Sequence, residues 1–201
     1  MKLQKIILAI LLFSLPFFGS CQNPDAWEAR HNRLQPPREV MDAIGVEEGM
    51  VVAEVGAGRG RYVVHMAERV GKSGKVYAND IDEDALKYLN HRCERDDISN
   101  VITILGNVTD PNLPDGAFDL VYIVNTYHHL DDKIGLMRNI LPALKPDGIF
   151  VIIENEPEKS GWPSHTTPGK VVIKEAEESG FELIRIESFL EEDNIYLFRG
   201  R

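Results

Sequence analysis

The run Val51-Val52-Ala53-Glu54-Val55-Gly56-Ala57-Gly58-Arg59-Gly60-Arg61-Tyr62 decides how the rest of the chain is read. A short apolar run with an acid near its end, three glycines at alternate positions and then a helix-period pattern predict strand, tight turn and helix. Glycine lacks Cβ, so this turn tolerates positive φ and lets backbone come close to a ligand. The free amides at the start of the following helix face the same space.

Two nucleotide signatures are absent. The dinucleotide fingerprint Gly-x-Gly-x-x-Gly needs its third glycine where Arg61 stands, and no Gly-x-x-x-x-Gly-Lys-Ser/Thr loop marks a triphosphate site. What remains, Glu54-x-Gly56-x-Gly58-x-Gly60, resembles the first motif of class I S-adenosylmethionine-dependent methyltransferases. The resemblance implies that Gly56, Ala57, Gly58 and Gly60 wrap the methionine end of S-adenosyl-L-methionine, and that Glu54 orients its ammonium group directly or through water. The competing reading is a ligand-free βα turn, which three alternate glycines plus an acid disfavour.

Downstream, Lys75 to Asn79 reads as a second strand with Asp80 at its carboxyl end, 20 residues after Gly60. Ligands of open parallel sheets bind beyond the carboxyl ends of strands, and a carboxylate there can accept from both ribose hydroxyls. Asn79-Asp80-Ile81-Asp82 resembles the family's second motif, which implies Asp80 on the ribose and Ile81 against the adenine. Asp82, Glu83 and Asp84 read as acidic capping of the next helix. After a third strand, Val101 to Leu105, Asn107 stands where the family usually carries an acid that bonds the adenine amino group, with Val108 beside it. An amide carbonyl can accept the same bond, more weakly.

The fourth strand, Ala117 to Val124, ends in Asn125-Thr126-Tyr127-His128-His129-Leu130, which the resemblance places before the transferable methyl group. Asn125 joins the expected cofactor set. His128 and His129 are the candidate catalytic bases, because imidazole titrates near neutrality. On an extended segment adjacent side chains diverge, so at most one of the two is expected to face the pocket; packing or helix capping is the rival role for each. Asp131 is expected to cap a helix carrying Ile134, Met137 and Ile140, ahead of a fifth strand from Ile149 to Glu154. The patternless stretch from Asn155 to Thr167 offers Trp162 and His165 as a substrate lid. No His, Cys, Asp or Glu spacing suggests a metal. A helix from Thr167 to Gly180 and closing strands Phe181 to Phe189 and Asn194 to Phe198 complete the pattern.

The resemblance implies an α/β fold: a Rossmann-like, doubly wound, seven-stranded and mostly parallel sheet in the order 3-2-1-4-5-7-6, its last strand antiparallel. The 201 residues suffice for one such domain. The net charge of −10 makes nucleic acid a poor partner.

Residues 1–21 read as a leader outside the fold. Lys2 and Lys5 precede an apolar run from Ile6 to Phe18, then Gly19, Ser20 and Cys21. That run is short of the ~20 residues of a spanning helix and has a signal-peptide layout. Cysteine after two small residues resembles a bacterial lipoprotein signal, which would make the chain a membrane-associated lipoprotein; an uncleaved anchor and a secretory leader cut elsewhere are the alternatives. Residues 22–35 are expected to be a linker passing into a covering helix, and 36–201 the methyltransferase domain. Cys93 is the only other cysteine and reads as a small buried hydrophobe. The function expected is transfer of a methyl group from S-adenosyl-L-methionine to a small-molecule or lipid-like acceptor. The alternative is a membrane-tethered protein of the same fold that binds the cofactor without turnover. The leader leaves the side of the membrane open, and nothing in the sequence reads on oligomeric state.

Overall fold

The computed structural model describes residues 24–161 and 163–201, so the leader expected over residues 1–21 lies outside the described residues, as does Trp162. Seven strands form one sheet: β1 (Val51–Val55), β2 (Lys75–Asp80), β3 (Val101–Leu105), β4 (Phe118–Val124), β5 (Leu144–Asn155), β6 (Phe181–Glu187) and β7 (Asp193–Gly200). Their order is β3-β2-β1-β4-β5-β7-β6, as expected. The first five pair in parallel. β7 runs antiparallel to both β5 and β6. The order reverses between β1 and β4, and in open sheets ligands sit at the carboxyl ends beside such a switch.

Helices cover both faces, which is why the central strands read as unbroken apolar runs. On one face Val52, Leu120, Tyr122, Val151 and Ile153 pack with Val40 of α2 (Pro37–Ala43), Val63 and Met66 of α3 (Arg61–Val70) and Leu89 of α4 (Glu83–Arg95). On the other, Ala53, Val121, Ile123 and Phe150 pack with Met137 and Ile140 of α5 (Lys133–Ile140) and Val172 and Ala176 of α6 (Gly169–Glu178). The period of two along each strand thus sends neighbouring residues to opposite cores. Cys93 is buried among the α4 contacts, as expected.

The polar stretch before Pro36 is helical over Pro24–Leu34, forming α1. Arg92 forks onto Glu28 with bonds of 2.7 and 2.9 Å, and Arg61 donates to Gln35 Oε1 at 2.6 Å and Asn32 Oδ1 at 3.3 Å. Polar side chains, not an apolar stripe, therefore hold this helix down.

Three local expectations are corrected. Asp132, rather than Asp131, caps α5, because its carboxylate reaches the Gly135 amide at 2.8 Å; Leu136 then turns inward and Ile134 is only half-buried. β5 starts at Leu144, where it pairs with Phe118 ahead of a register shift. The segment after β4 is not extended: Tyr127–His129 is one 3₁₀ turn.

Candidate cofactor and acceptor clefts

The glycine turn is held by β2. The amides of Gly56 and Ala57 both donate to Asn79 O at 2.9 Å, and Gly56 and Gly58 take φ values of 79° and 52°. These two glycines do different work. A Cβ on Gly56 would lie 2.3 Å from Thr126 Cγ2, so this glycine permits close packing against the end of β4. A Cβ on Gly58 would meet nothing within 4 Å, so that position opens onto free space.

The end of β2 faces the same space. Asp80 Oδ2 accepts from the Gly58 amide at 2.7 Å and Oδ1 from the Asp82 amide at 2.9 Å. Asp82 itself accepts from the amides of Asp84 and Ala85, which makes it the cap of α4 and leaves Asp80 to the cleft. Around them lies a cavity of about 300 Å³ whose walls include Gly58, Asp80, Ile81, Asn107, Val108 and His129. Ile81 is 60% exposed and Val108 47%, an apolar wall left open next to a carboxylate.

Gly56, Gly58, Asp80, Ile81, Asn107 and Val108 of the expected cofactor set thus meet in one cleft. Ala57, Gly60, Glu54 and Asn125 stand behind it or beside it. Gly60 caps α3 in a left-handed conformation. Glu54 is buried beneath the turn, where Tyr122 donates to its Oε2 at 3.1 Å. Burial, opposed by Arg61 and the Tyr122 bond, pushes its carboxyl up to about 8. Asn125 takes φ 52° and exchanges bonds with Gln35, whose Nε2 donates to its Oδ1 at 2.8 Å.

A second cavity, of about 340 Å³, lies on the far side of the 3₁₀ turn. Trp27 and Arg30 of α1, Asn125, His128, His165 and Glu192 border it, and His129 borders both cavities. The expectation that His128 and His129 diverge is overturned. The tight turn brings their ring centroids to 4.1 Å, and His165 closes the group at 5.4 and 5.6 Å from them. Burial, then the neighbouring His128 and His165, lowers the His129 imidazole below its ordinary value.

His128 is oriented from behind. Its Nδ1 lies 2.9 and 3.1 Å from the two oxygens of Glu154, a residue with 0% exposure that also accepts from Thr167 Oγ1 at 3.1 Å. A carboxylate only accepts, so in the neutral imidazole this contact selects the tautomer with its proton on Nδ1 and its lone pair on Nε2. Glu154, Gln35 and Tyr122 are functional-looking residues that spacing alone did not single out. An acid closing the apolar run Phe150 to Ile153 was the available signal for Glu154.

Residues 53–152 match the family model described as methyltransferase domain. A demethylmenaquinone methyltransferase of Listeria welshimeri is 31% identical over 126 residues, which are 62% of this chain and 53% of that protein. Its counterpart in Geobacillus stearothermophilus is 31% identical over 117 residues, 58% of this chain and 50% of that one. The chain thus spans about half the length of these relatives. Among solved structures, a SAM-dependent methyltransferase from Aquifex aeolicus superposes with a TM-score of 0.78 at 24% identity, covering 88% of this chain and 98% of that one. A possible exported protein from Bordetella parapertussis gives 0.67 at 18% identity, covering 88% and 69%. The chain as a whole has the fold of S-adenosylmethionine-dependent methyltransferases, and its family match runs through the glycine turn, Asp80, His128 and His129.

Proposed function

We propose that the chain is an S-adenosyl-L-methionine-dependent methyltransferase acting on a small, quinone-like or otherwise lipid-like acceptor. The observation that carries this reading is the single cleft in which the open Gly58 turn, the Asp80 carboxylate and the apolar wall of Ile81 and Val108 meet. These residues fit the cofactor. The vacant side of Gly58 leaves room for backbone to approach its amino-acid end, Asp80 retains lone pairs for ribose hydroxyls, and the exposed apolar pair suits a purine face. When bound, S-adenosyl-L-methionine supplies an electrophilic methyl group on a sulfonium. The chain's part is to align an acceptor with that group, exclude water and manage the acceptor's proton. The second cavity, which shares His129 with the first, is where the acceptor sits, and the histidines beside it are the groups that govern the loss of its proton.

The named relatives act on a demethylated menaquinone, which supports a quinone-like acceptor here. The apolar leader is consistent with a chain tethered at a membrane where such acceptors reside. Titration calorimetry of the chain with S-adenosyl-L-methionine and, separately, NAD tests the reading. Binding of the first and not the second is expected, together with methyl transfer from labelled cofactor to an acceptor in a lipid extract that, at sub-saturating cofactor, is largely lost in Asp80→Ala. Binding of NAD alone would remove the assignment. Cofactor binding with no transfer to any acceptor would leave the tethered binding protein instead.

A further inference from the structure

His128, His129 and His165 each offer one ring nitrogen, and these three atoms all lie within 4.8 Å of one another. Two of them come from the 3₁₀ turn after β4 and the third from the 3₁₀ turn Pro163–His165, so the chain is folded back over dozens of residues to assemble the group. Stacked rings alone do not need what stands behind them. Glu154 has no exposure, and it binds Nδ1 of His128, which leaves Nε2 as the nitrogen available to a ligand. A buried carboxylate on the far nitrogen is the usual support of a metal-bound imidazole, fixing its tautomer and raising its basicity.

We propose that His128, His129 and His165 bind one divalent transition-metal ion, zinc by preference, whose remaining coordination position opens to the second cleft and takes a hydroxyl or thiol of the acceptor. Three neutral imidazoles with an open fourth position are the donor set of a catalytic rather than a structural zinc. Zinc–nitrogen bonds of about 2.1 Å ask for nitrogens about 3.4 Å apart in a tetrahedron, so from separations within 4.8 Å the group needs to close by at most about 1.4 Å on binding. His165 is exposed, with room to make that move. Among the described residues no cysteine or carboxylate joins the group, and harder ions that demand oxygen ligands are accordingly disfavoured.

The role of the ion in acceptor binding rests on the methyl-transfer reading; the ion site does not. An acceptor O–H or S–H that takes the open position loses its proton to solvent, and the heteroatom stays anionic beside the wall formed by His129. The histidines then hold the ion and do not themselves take the proton. This narrows the substrate class to acceptors that ionise at oxygen or sulfur, such as a hydroquinone or a thiol, and excludes methylation at an amine or at an unactivated carbon.

The test uses the full chain without a histidine tag, stripped by EDTA and titrated with Co²⁺ and then Zn²⁺. Visible Co²⁺ absorption at one ion per chain, displaced by Zn²⁺, is expected. His165→Ala, at an exposed position, should weaken binding at least ~100-fold, and Glu154→Gln about 10- to 100-fold, the usual cost of losing such a support. Phenol or 2-mercaptoethanol should shift the Co²⁺ spectrum. Absence of stoichiometric binding, or wild-type affinity in His165→Ala and His128→Ala, overturns the ion site; an unchanged spectrum with both probes overturns the acceptor's place on it. Cofactor titration on the same samples separates the two claims, because metal binding without S-adenosyl-L-methionine binding defeats the methyltransferase reading and spares the ion.

Discussion

The Gly58 amide donates to Asp80 Oδ2 at 2.7 Å, locking the turn after β1 onto the end of β2 before any ligand arrives. The second oxygen of the same carboxylate is held by the Asp82 amide at 2.9 Å. A carboxylate has about four acceptor sites, so two anchoring bonds fix its plane and leave lone pairs for a ligand. The cleft is therefore organised in advance, and the affinity it gains comes from ordering that has already taken place.

Removing that carboxylate should cost binding more than fold. In Asp80→Ala, S-adenosyl-L-methionine affinity is expected to fall about 10- to 100-fold, in line with the ~1.5–3 kcal/mol of hydrogen bonds to a charged group. Titration calorimetry beside a thermal melt checks this; an unchanged dissociation constant would refute it.

The two turn glycines should fail differently. Gly56→Ala puts a methyl 2.3 Å from Thr126 Cγ2 at positive φ, so a clear drop in melting temperature is expected. Gly58→Ala meets nothing and carries only the strain of its left-handed backbone, roughly 1–2 kcal/mol, while its methyl enters the cleft. It should melt nearer the wild type and bind cofactor far more weakly. Equal melting points for the two variants would contradict the structure.

Two buried acids set a pH dependence. Burial is the chief cause that raises Glu54 to about 8 and Asp193 to about 6. Among the described residues Asp193 Oδ1 has no hydrogen-bond partner. A carboxyl whose folded pKa exceeds its unfolded value contributes stability that is present at low pH and lost as pH rises through the folded pKa. For Glu54 the window runs from 4.5 to about 8, and each proton changes stability by at most about 1.4 kcal/mol per pH unit. His31, His65 and His129, lowered by burial, work in the opposite sense as pH falls below their ordinary value. The difference between wild type and Glu54→Gln isolates the acid: the gap in melting temperature should grow in favour of the variant between pH 5 and 8. A pH-independent gap would show that Glu54 is ionised in the folded chain.

Helix α1 borders the second cavity and is pinned by charge. Arg92→Ala removes the fork onto Glu28, whose bonds measure 2.7 and 2.9 Å, and should raise amide exchange over Pro24–Leu34 without moving that of the sheet. Both side chains are largely shielded, at 15% and 23% exposure, so the pair should matter more than an open surface bridge. Exchange that rises everywhere, or nowhere, would count against it.

The strands and the turn were legible because they depend on local patterns: apolar runs for doubly covered strands, glycines where φ turns positive, an acid one crossover later; the order of the strands came from the family resemblance that those motifs carry. Asp132 was missed because two adjacent aspartates offer the same cap, and only the fold shows which one reaches the Gly135 amide. The histidine group was invisible for another reason. His165 comes from a stretch with no periodicity, and its approach to His128 is decided by where β5 and the following loop end. Gln35 escaped notice because its partners, Arg61 and Asn125, lie 26 and 90 residues away.

Among the described residues His129 is the one side chain that borders both hollows. On the proposed methyl-transfer reading, a group passing from one hollow to the other meets this side chain, and so does a water molecule coming from the second cavity. Trimming that ring should therefore raise wasteful hydrolysis relative to productive turnover, and should shift the apparent Michaelis constants of both ligands together.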